Sequence, residues 1–157
     1  MPPHLQAQLK QSRPFRSVQE EVFLNVLRTA TALQGQFAEL LRGYDLTQPQ
    51  YNVLRILRGA GEGGLPSGEI GERMVSRDPD VTRLLDRLEQ RGLARRAREG
   101  ADRRVVTARI TSEGRRLLDA LEGPVAALHA RQLGPLGERG LETLRRLLRR
   151  AAEVGPV

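Results

Sequence analysis

The strongest constraint on the fold is a pair of short helices that the sequence predicts between residues 67 and 92. The second helix has apolar residues at the i, i+3, i+4, i+7 spacing of one buried helix face, namely Val81, Leu84, Leu85 and Leu88. Asp78-Pro79 predicts its start, and Gly92 predicts its end. Ser67 is the predicted N-cap of the first helix. About four residues separate the two helices, which is the spacing of a helix-turn-helix.

Two short strands are predicted directly after this helix pair. They cover residues 94–98 and 105–110, and the run Val105-Val106-Thr107 supports the second because it is rich in β-branched side chains. The polar segment from Glu99 to Arg104 lies between them and contains a glycine, as a hairpin tip commonly does. A helix-turn-helix followed by such a hairpin is a winged helix-turn-helix.

A long helix is predicted over residues 17–42, because apolar residues recur there every three or four positions. Phe23, Leu24 and Leu27 widen this apolar stripe beyond what one neighbouring helix would cover. Thr47 and Gln50 have the spacing of a capping box, which starts the next helix.

Two more helices are predicted after the strands. Thr111 caps the first of them, and Gly123-Pro124 is expected to kink or break it. A row of leucines defines the last helix: Leu141, Leu144, Leu147 and Leu148.

The predicted fold is therefore mainly α with a small β-hairpin wing, a winged helix-turn-helix flanked by N- and C-terminal dimerisation helices. Residues 1–16 are interpreted as an N-terminal arm, and residues 43–110 as the winged helix-turn-helix. Residues 17–42 together with residues 111–157 form the predicted helical dimerisation region, since their apolar faces are wide.

The charge of the chain is concentrated in its middle. The whole sequence has 26 basic and 19 acidic residues, a net charge of +7. Residues 73–110 contain eleven basic and six acidic residues, a net charge of +5. A basic segment between less charged flanks is typical of a module that meets phosphate, and double-stranded DNA is the predicted partner.

The composition argues against an enzyme. There is no cysteine, so disulfides, thiolate catalysis and cysteine-ligated metals are excluded. The two histidines, His4 and His129, are far apart in sequence, and we expect no metal site, no catalytic residues and no cofactor. No apolar run reaches the ~18 residues that a membrane span needs, so we expect a cytoplasmic protein without membrane contact.

The outward face of the second short helix is predicted to enter the major groove of DNA, because a recognition helix enters N-terminus first. The residues predicted to contact DNA are Ser67, Ser76, Arg77, Asp80, Thr82, Arg83 and Arg87, with Arg103 and Arg104 at the hairpin tip. A competing interpretation treats Arg83 and Arg87 as solvated charges paired with neighbouring acids, and the hairpin tip as a solvated turn.

Several segments resemble the MarR family of bacterial transcriptional regulators. They are Leu46–Tyr51 with Val53-Leu54, Ser67–Arg73, Val81–Leu93, Asp102–Arg104 and Ile110–Gly114. Each segment is short, but their order and spacing together are specific, and the resemblance covers nearly the whole chain after the arm.

The resemblance implies a homodimeric repressor of an inverted-repeat operator. It implies that Arg104 enters the minor groove with Asp102 orienting it, and that a small aromatic or amphiphilic ligand releases the DNA. The acids of Asp78-Pro79-Asp80 stand where many relatives have Ser or Thr, so the base preference of those relatives does not transfer. The absence of cysteine excludes the branch that senses peroxides through a thiol.

Two other binding functions fit the same sequence. One is a constitutive architectural or activating DNA-binding protein that has no ligand. The other is a winged helix that contacts RNA or protein. Gel shifts on duplex DNA with an RNA competitor separate a DNA partner from an RNA or protein partner.

The hairpin tip provides a prediction. Arg104→Ala should fold and dimerise normally but bind its operator more weakly by about 1–3 kcal/mol, the usual size of a specific contact. Arg104→Lys should recover only part of this loss, because lysine lacks the planar fork. Arg103→Ala should cost less, since alternate residues of a strand face opposite sides. Titration of a labelled operator measures all three, and unchanged binding by Arg104→Ala would refute the wing assignment.

Overall fold

A computed structural model of the protein describes residues 5–76, 80–98 and 106–153. The chain forms two compact units, one reaching to Glu39 and the other starting at Leu40. In chain order the helices and strands are α1 Leu5–Gln8, α2 Val18–Arg42, α3 Gln48–Ala60, β1 Leu65–Pro66, α4 Ser67–Arg73, α5 Val81–Gln90, β2 Ala94–Ala97, β3 Thr107–Ile110, α6 Ser112–Leu133 and α7 Gly137–Ala152. The mainly α fold with a small β-hairpin is confirmed.

The first unit contains the predicted arm and most of the long helix α2. A four-residue helix, α1, lies inside the arm. The start of α2 is stabilised by Ser17, whose hydroxyl accepts a hydrogen bond from the Glu20 N–H at 3.1 Å. The Glu20 carboxylate accepts from the Arg16 N–H at 2.7 Å. The first bond satisfies an orphan N–H of the helix and the second ties the preceding residue to it, which stabilises a helix start close to the predicted one.

The core of the second unit lies between α3, α4, α5, α6 and the sheet. Its fully buried side chains include Leu54, Leu57, Ile70, Leu85, Leu88, Leu118 and Leu121. The predicted capping box at the start of α3 is confirmed, because the Gln50 N–H donates to Thr47 Oγ1 at 3.3 Å and the Thr47 N–H donates to Gln50 Oε1 at 3.0 Å. The second bond gives the buried side-chain oxygen of Gln50 a hydrogen-bond donor.

The sheet has three antiparallel strands in the order β1-β3-β2. The two predicted strands form the hairpin, with Ala94 opposite Ile110 and Ala97 opposite Thr107. Strand β1 was not predicted, because it is two residues long and includes a proline. It lies close to β3 only because Gly64 has a φ of +67° and no side chain, and a Cβ there would lie 2.5 Å from the Ala108 carbonyl oxygen.

Two predicted helix starts are corrected by the structure. Ser67 is the first helical residue of α4, and Pro66 occupies the N-cap position without a side-chain cap. Helix α5 begins at Val81 rather than Pro79, and its N-cap is Asp80 rather than Asp78. The Asp80 carboxylate accepts from the Arg83 N–H at 2.9 Å, a bond that satisfies one orphan donor of α5.

Of the predicted kink or break at Gly123-Pro124, the break is wrong, because α6 continues through Pro124 to Leu133. A proline inside a helix costs about 3 kcal/mol. Leu121, Val125 and Leu128 are buried on the two sides of it. Each buried side chain contributes about 1.5–3 kcal/mol, so continued burial outweighs the lost hydrogen bond.

The junction between the hairpin and α6 is closely packed. The Thr111 hydroxyl donates to the Gly92 carbonyl oxygen at 2.6 Å and accepts from the Gly114 N–H at 3.1 Å. A Cβ at Gly114 would overlap the Leu93 carbonyl oxygen and lie 2.7 Å from Ile110 Cγ1. The backbone of α6 therefore approaches the end of the hairpin at a distance that only glycine allows.

This close approach provides a test of the fold. Gly114→Ala should lower the free energy of unfolding by about 1–3 kcal/mol, the usual cost of overpacking. Gly59→Ala is the matched control, because an added Cβ in α3 has no atom within 4 Å. It should be neutral or stabilise by up to about 1 kcal/mol through its helix propensity. Urea denaturation measures both, and equal stability of the two variants would contradict the packing at Gly114.

Candidate nucleic-acid interface

Helix α5 has one buried face and one exposed face. Leu84, Leu85 and Leu88 point into the core, as their spacing predicted. On the other side the side chains are exposed: Thr82, Arg83 and Arg87. A helix can present only its exposed face to a groove of DNA, so the predicted base-contacting residues of α5 lie on the accessible side.

The acids of α5 are paired with a residue of the hairpin. Arg96 of β2 contacts both Asp86 and Glu89, which lie three residues apart on α5. Its backbone N–H donates to Glu89 Oε1 at 2.6 Å, and its Nε–H donates to Glu89 Oε2 at 2.8 Å. A third bond joins its guanidinium to the Asp86 carboxylate. We refer to Asp86, Glu89 and Arg96 as the α5–β2 triad.

The triad shifts the ionisation of its members. Burial by itself raises the pKa of Glu89, but hydrogen bonds from the side chain and backbone of Arg96, with the charge of its guanidinium, outweigh burial and lower that pKa below 4.5. The pKa of Arg96 is raised, first by its side-chain hydrogen bond to Glu89. Both groups are therefore held in their charged forms.

This pairing leaves two cations of α5 exposed without an acidic partner. Within the described residues, neither Arg83 nor Arg87 forms an ion pair, because the acids Asp86 and Glu89 contact Arg96 instead. The competing interpretation, in which neighbouring acids neutralise these arginines, is not what the structure shows. Both guanidinium groups are accessible to a ligand that carries negative charge.

Three further predicted residues are described, in α4, in the turn after it and directly before α5. Ser67 is half-buried in the first turn of α4, and Ser76 is exposed in the turn after that helix. Asp80 is exposed and caps α5. Four predicted residues lie outside the described part of the chain: Arg77, Asp102, Arg103 and Arg104.

Contacts that the sequence analysis missed hold this region in place. The side-chain oxygen of Asn52 in α3 accepts from the Val75 N–H at 2.8 Å and so anchors the turn between α4 and α5. Arg91, after α5, donates to the carbonyl oxygens of Tyr44 and Asp45. The signal for the triad was present as two acids at the i, i+3 spacing, but its partner lies seven residues beyond Glu89 in a strand.

The structure offers no sign of other chemistry in the parts it describes. No group of three or more histidine, aspartate or glutamate side chains in residues 5–76, 80–98 and 106–153 could hold a metal ion. Over the same residues, no helix is both long enough and apolar enough to cross a membrane.

Two paired helices with an exposed, cationic second helix, followed by an antiparallel hairpin, define a winged helix-turn-helix protein of the DNA-binding class. Residues 44–105 match the sequence model described as MarR family. The chain belongs to this family and is a DNA-binding transcriptional regulator. The family comprises regulators of transcription, not enzymes.

Two curated relatives illustrate the match. The transcriptional regulator HosA of Escherichia coli O127:H6 is 33% identical over 106 residues, which cover 68% of this chain and 77% of HosA. The regulator TtmR of Methylorubrum extorquens is 38% identical over 102 residues, which cover 65% of this chain but only about half, 51%, of TtmR.

Two solved structures share the fold. A MarR transcription factor from Planctomyces limnophilus is 39% identical with a TM-score of 0.67, over 87% of this chain and 98% of that protein. The PcaV regulator of Streptomyces coelicolor, solved in complex with its natural ligand, is 30% identical with a TM-score of 0.66. The similarity covers 80% of this chain and 89% of PcaV.

The ionisation of Glu89 leads to a prediction about stability. Because its pKa is lowered in the folded chain, its stabilising effect is present above pH 4.5 and disappears as the pH falls through the lower folded value. Glu89→Gln should lower the free energy of unfolding at pH 7 by about 1–2 kcal/mol. The difference from wild type should shrink in acid.

The control is Glu113→Gln, which removes an exposed acid that lies 2.9 Å from Arg116 on α6. That change should cost less than about 0.5 kcal/mol, because solvent screens exposed pairs. Urea denaturation at several pH values measures both variants. Equal effects at pH 7, or a Glu89→Gln difference that grows in acid, would contradict the prediction.

Proposed function

We propose that the protein is a homodimeric repressor that binds an inverted-repeat operator and is released from it by a small ligand. The observation that carries this proposal is the exposed face of α5, on which Thr82, Arg83 and Arg87 are accessible and the two arginines have no acidic partner within the described residues. A cationic helix face without acidic partners suits duplex DNA, which has an anionic backbone and exposes base edges in its grooves.

Arg83 is the residue proposed to read a base. It lies in the first turn of α5. The N-terminal end of a recognition helix is the part that contacts base edges in the groove. Arginine pairs bidentately with guanine, so a guanine in each half-site is the expected target. Arg87 lies one turn further along, where a phosphate contact is expected. Asp80 is proposed to act through its cap, which fixes the backbone beneath Arg83.

The wing is proposed to add a minor-groove contact. This part rests on the resemblance of Asp102 and Arg104 to the family's wing motif, since residues 99–105 lie outside the described part of the chain. Strands β2 and β3, which precede and follow the tip in the sequence, pair with each other over four positions.

The homodimer is proposed from two apolar faces. On α2 the side chains of Val18, Phe23 and Val22 are 72%, 62% and 53% exposed. Helix α7 has no buried residue, and all four of its predicted leucines are exposed: Leu141, Leu144, Leu147 and Leu148. Most of the stability of a helix in a protein comes from packing of its apolar face, so the exposed leucines of α7 favour a partner. A second copy of the chain supplies one, and residues 17–42 with residues 111–157 form the proposed dimerisation region.

Release by a ligand is supported by one relative. PcaV was solved in complex with its natural ligand and is 30% identical to this chain. A constitutive DNA-binding protein remains the second candidate. The two differ in one measurement, because only a ligand-responsive repressor loses operator affinity when a small aromatic or amphiphilic compound from a screen is added.

Binding to selected DNA tests the function. A duplex enriched from a random library by the wild-type protein should contain an inverted repeat with half-site centres about one helical turn apart. Arg83→Ala should bind it more weakly by about 1–3 kcal/mol. Arg116→Ala, which removes the same charge from α6, is the control and should bind like wild type within about twofold, as surface changes commonly do.

Salt dependence completes this test. Six to ten phosphate contacts per dimer would reduce affinity by about 10³–10⁵ between 50 and 200 mM salt. A flat response, equal affinity for random duplex, or preference for an RNA competitor would contradict the proposed function.

The oligomeric state provides a separate prediction. Sedimentation at micromolar concentration should give about twice the chain mass of 17.5 kDa, and an interface of about 2,000 Å² or more is expected. Leu144→Glu should shift the species toward the monomer, because it places a charge in the apolar face of α7. Arg146→Glu changes the charged face of the same helix and should leave the dimer intact. A 17.5 kDa wild-type species would refute the dimer.

A further inference from the structure

We propose that Arg96 is a positioning residue for DNA reading, which locks the recognition helix α5 onto the wing strand β2 so that helix and wing meet DNA as one rigid element. This inference rests on the proposed function, sequence-specific binding of duplex DNA. It assigns the specificity of the protein in part to a side chain that contacts no base.

The geometry of the triad supports a lock. Arg96 uses its backbone N–H, its Nε–H and a terminal guanidinium nitrogen on two carboxylates of α5. The distances to Glu89 are 2.6 Å, 2.8 Å and 2.7 Å. The side chains of Arg96 and Glu89 are only 26% and 31% exposed, so solvent screens this pair less than an open surface pair. Bonds in several directions fix both the position and the rotation of one element on another.

The other contacts of α5 decide which face of the helix is buried, but they are less directional than the triad. The connection is a short turn in which Gly92 has a φ of +66°, closed by the Leu93 N–H donating to the Leu88 carbonyl oxygen at 2.9 Å. Leu85 and Leu88 of α5 are fully buried, and apolar burial is not directional, so it does not by itself set the exact orientation of the helix. Base contacts tolerate errors of only about 0.5 Å or 10–20°. A directional lock on α5 is therefore needed for discrimination between sequences.

A positioning role and a purely electrostatic effect on phosphate predict opposite changes in DNA affinity when Glu89 loses its charge. The triad has one cation and two acids, so Arg96 has little net charge to offer DNA. If the acids acted only by repelling phosphate, Glu89→Gln would strengthen binding to every duplex. If the triad positions α5, Glu89→Gln weakens binding to the selected duplex although it removes a negative charge.

The experiment compares two duplexes of equal length and composition, one selected by the wild-type protein and one scrambled. Arg96→Gln should reduce affinity for the selected duplex about tenfold, a typical coupling within a hydrogen-bonded network, and change affinity for the scrambled duplex much less. Glu89→Gln should also reduce the ratio of the affinity for the selected duplex to the affinity for the scrambled duplex. Arg96→Lys should recover part of it, because lysine keeps the charge but not the fork.

Arg95→Gln is the matched control. Arg95 is the neighbouring residue of β2, is exposed, and has no ion-pair partner within the described residues. Its loss removes the same charge and should lower both affinities equally, leaving their ratio unchanged. Hydrogen exchange adds a readout without DNA, since amides of α5 should exchange faster in Arg96→Gln than in Arg95→Gln.

The outcomes separate this inference from the proposed function. A wild-type protein that shows no preference for any selected duplex would refute the function and the positioning role together. A discriminating wild type with an equally discriminating Arg96→Gln would refute the positioning role alone. Tighter binding of both duplexes by Glu89→Gln with an unchanged ratio would also overturn it, and this variant keeps the test decisive should Arg96→Gln fail to fold.

Discussion

Burial of Leu85 and Leu88 is the interaction on which the arrangement of the reading surface depends. Both leucines are fully buried, and each contributes about 1.5–3 kcal/mol, more than the 0–1 kcal/mol or so of an exposed ion pair. Because side chains of a helix are related by a fixed rotation, burying these two positions places Arg83 and Arg87 outside. The face available to DNA is thus a consequence of core packing.

Apolar packing fixes which face is buried, and directional bonds then fix the details. Asp80 caps α5, Asn52 holds the turn before it, and Thr111 ties the end of the hairpin to α6. The triad has an electrostatic effect as well. Since Arg96 engages the acids of α5, the arginines of the exposed face are not neutralised, and one residue of the wing strand shapes the charge of the recognition helix.

The exposed apolar residues follow from the same balance of burial and solvation. Helix α7 has no buried side chain, so within the described chain apolar burial contributes little against the entropy of ordering it. In the proposed homodimer, a second copy that covers its leucines would supply that burial. On this proposal dimerisation and folding of α7 are one process, and the spacing of the two reading heads is set by the dimer.

The sequence by itself determined the order and type of nearly all elements, because capping boxes, glycine stops and a 3.6-residue apolar period are local signals that neighbouring residues fully specify. It also placed Thr82, Arg83 and Arg87 on the exposed face of α5. Only the tertiary structure decided the continuity of α6 through Pro124, the pairing of the two-residue β1 with β3, and the α5–β2 triad. Each of these depends on what a segment meets in space: burial of Leu121, Val125 and Leu128 around a proline, the close approach of Gly64 to Ala108, and a carboxylate pair aligned with an arginine on another element. The residues that flank such contacts do not specify the partner, since the free energy of the contact appears only when the chain has packed.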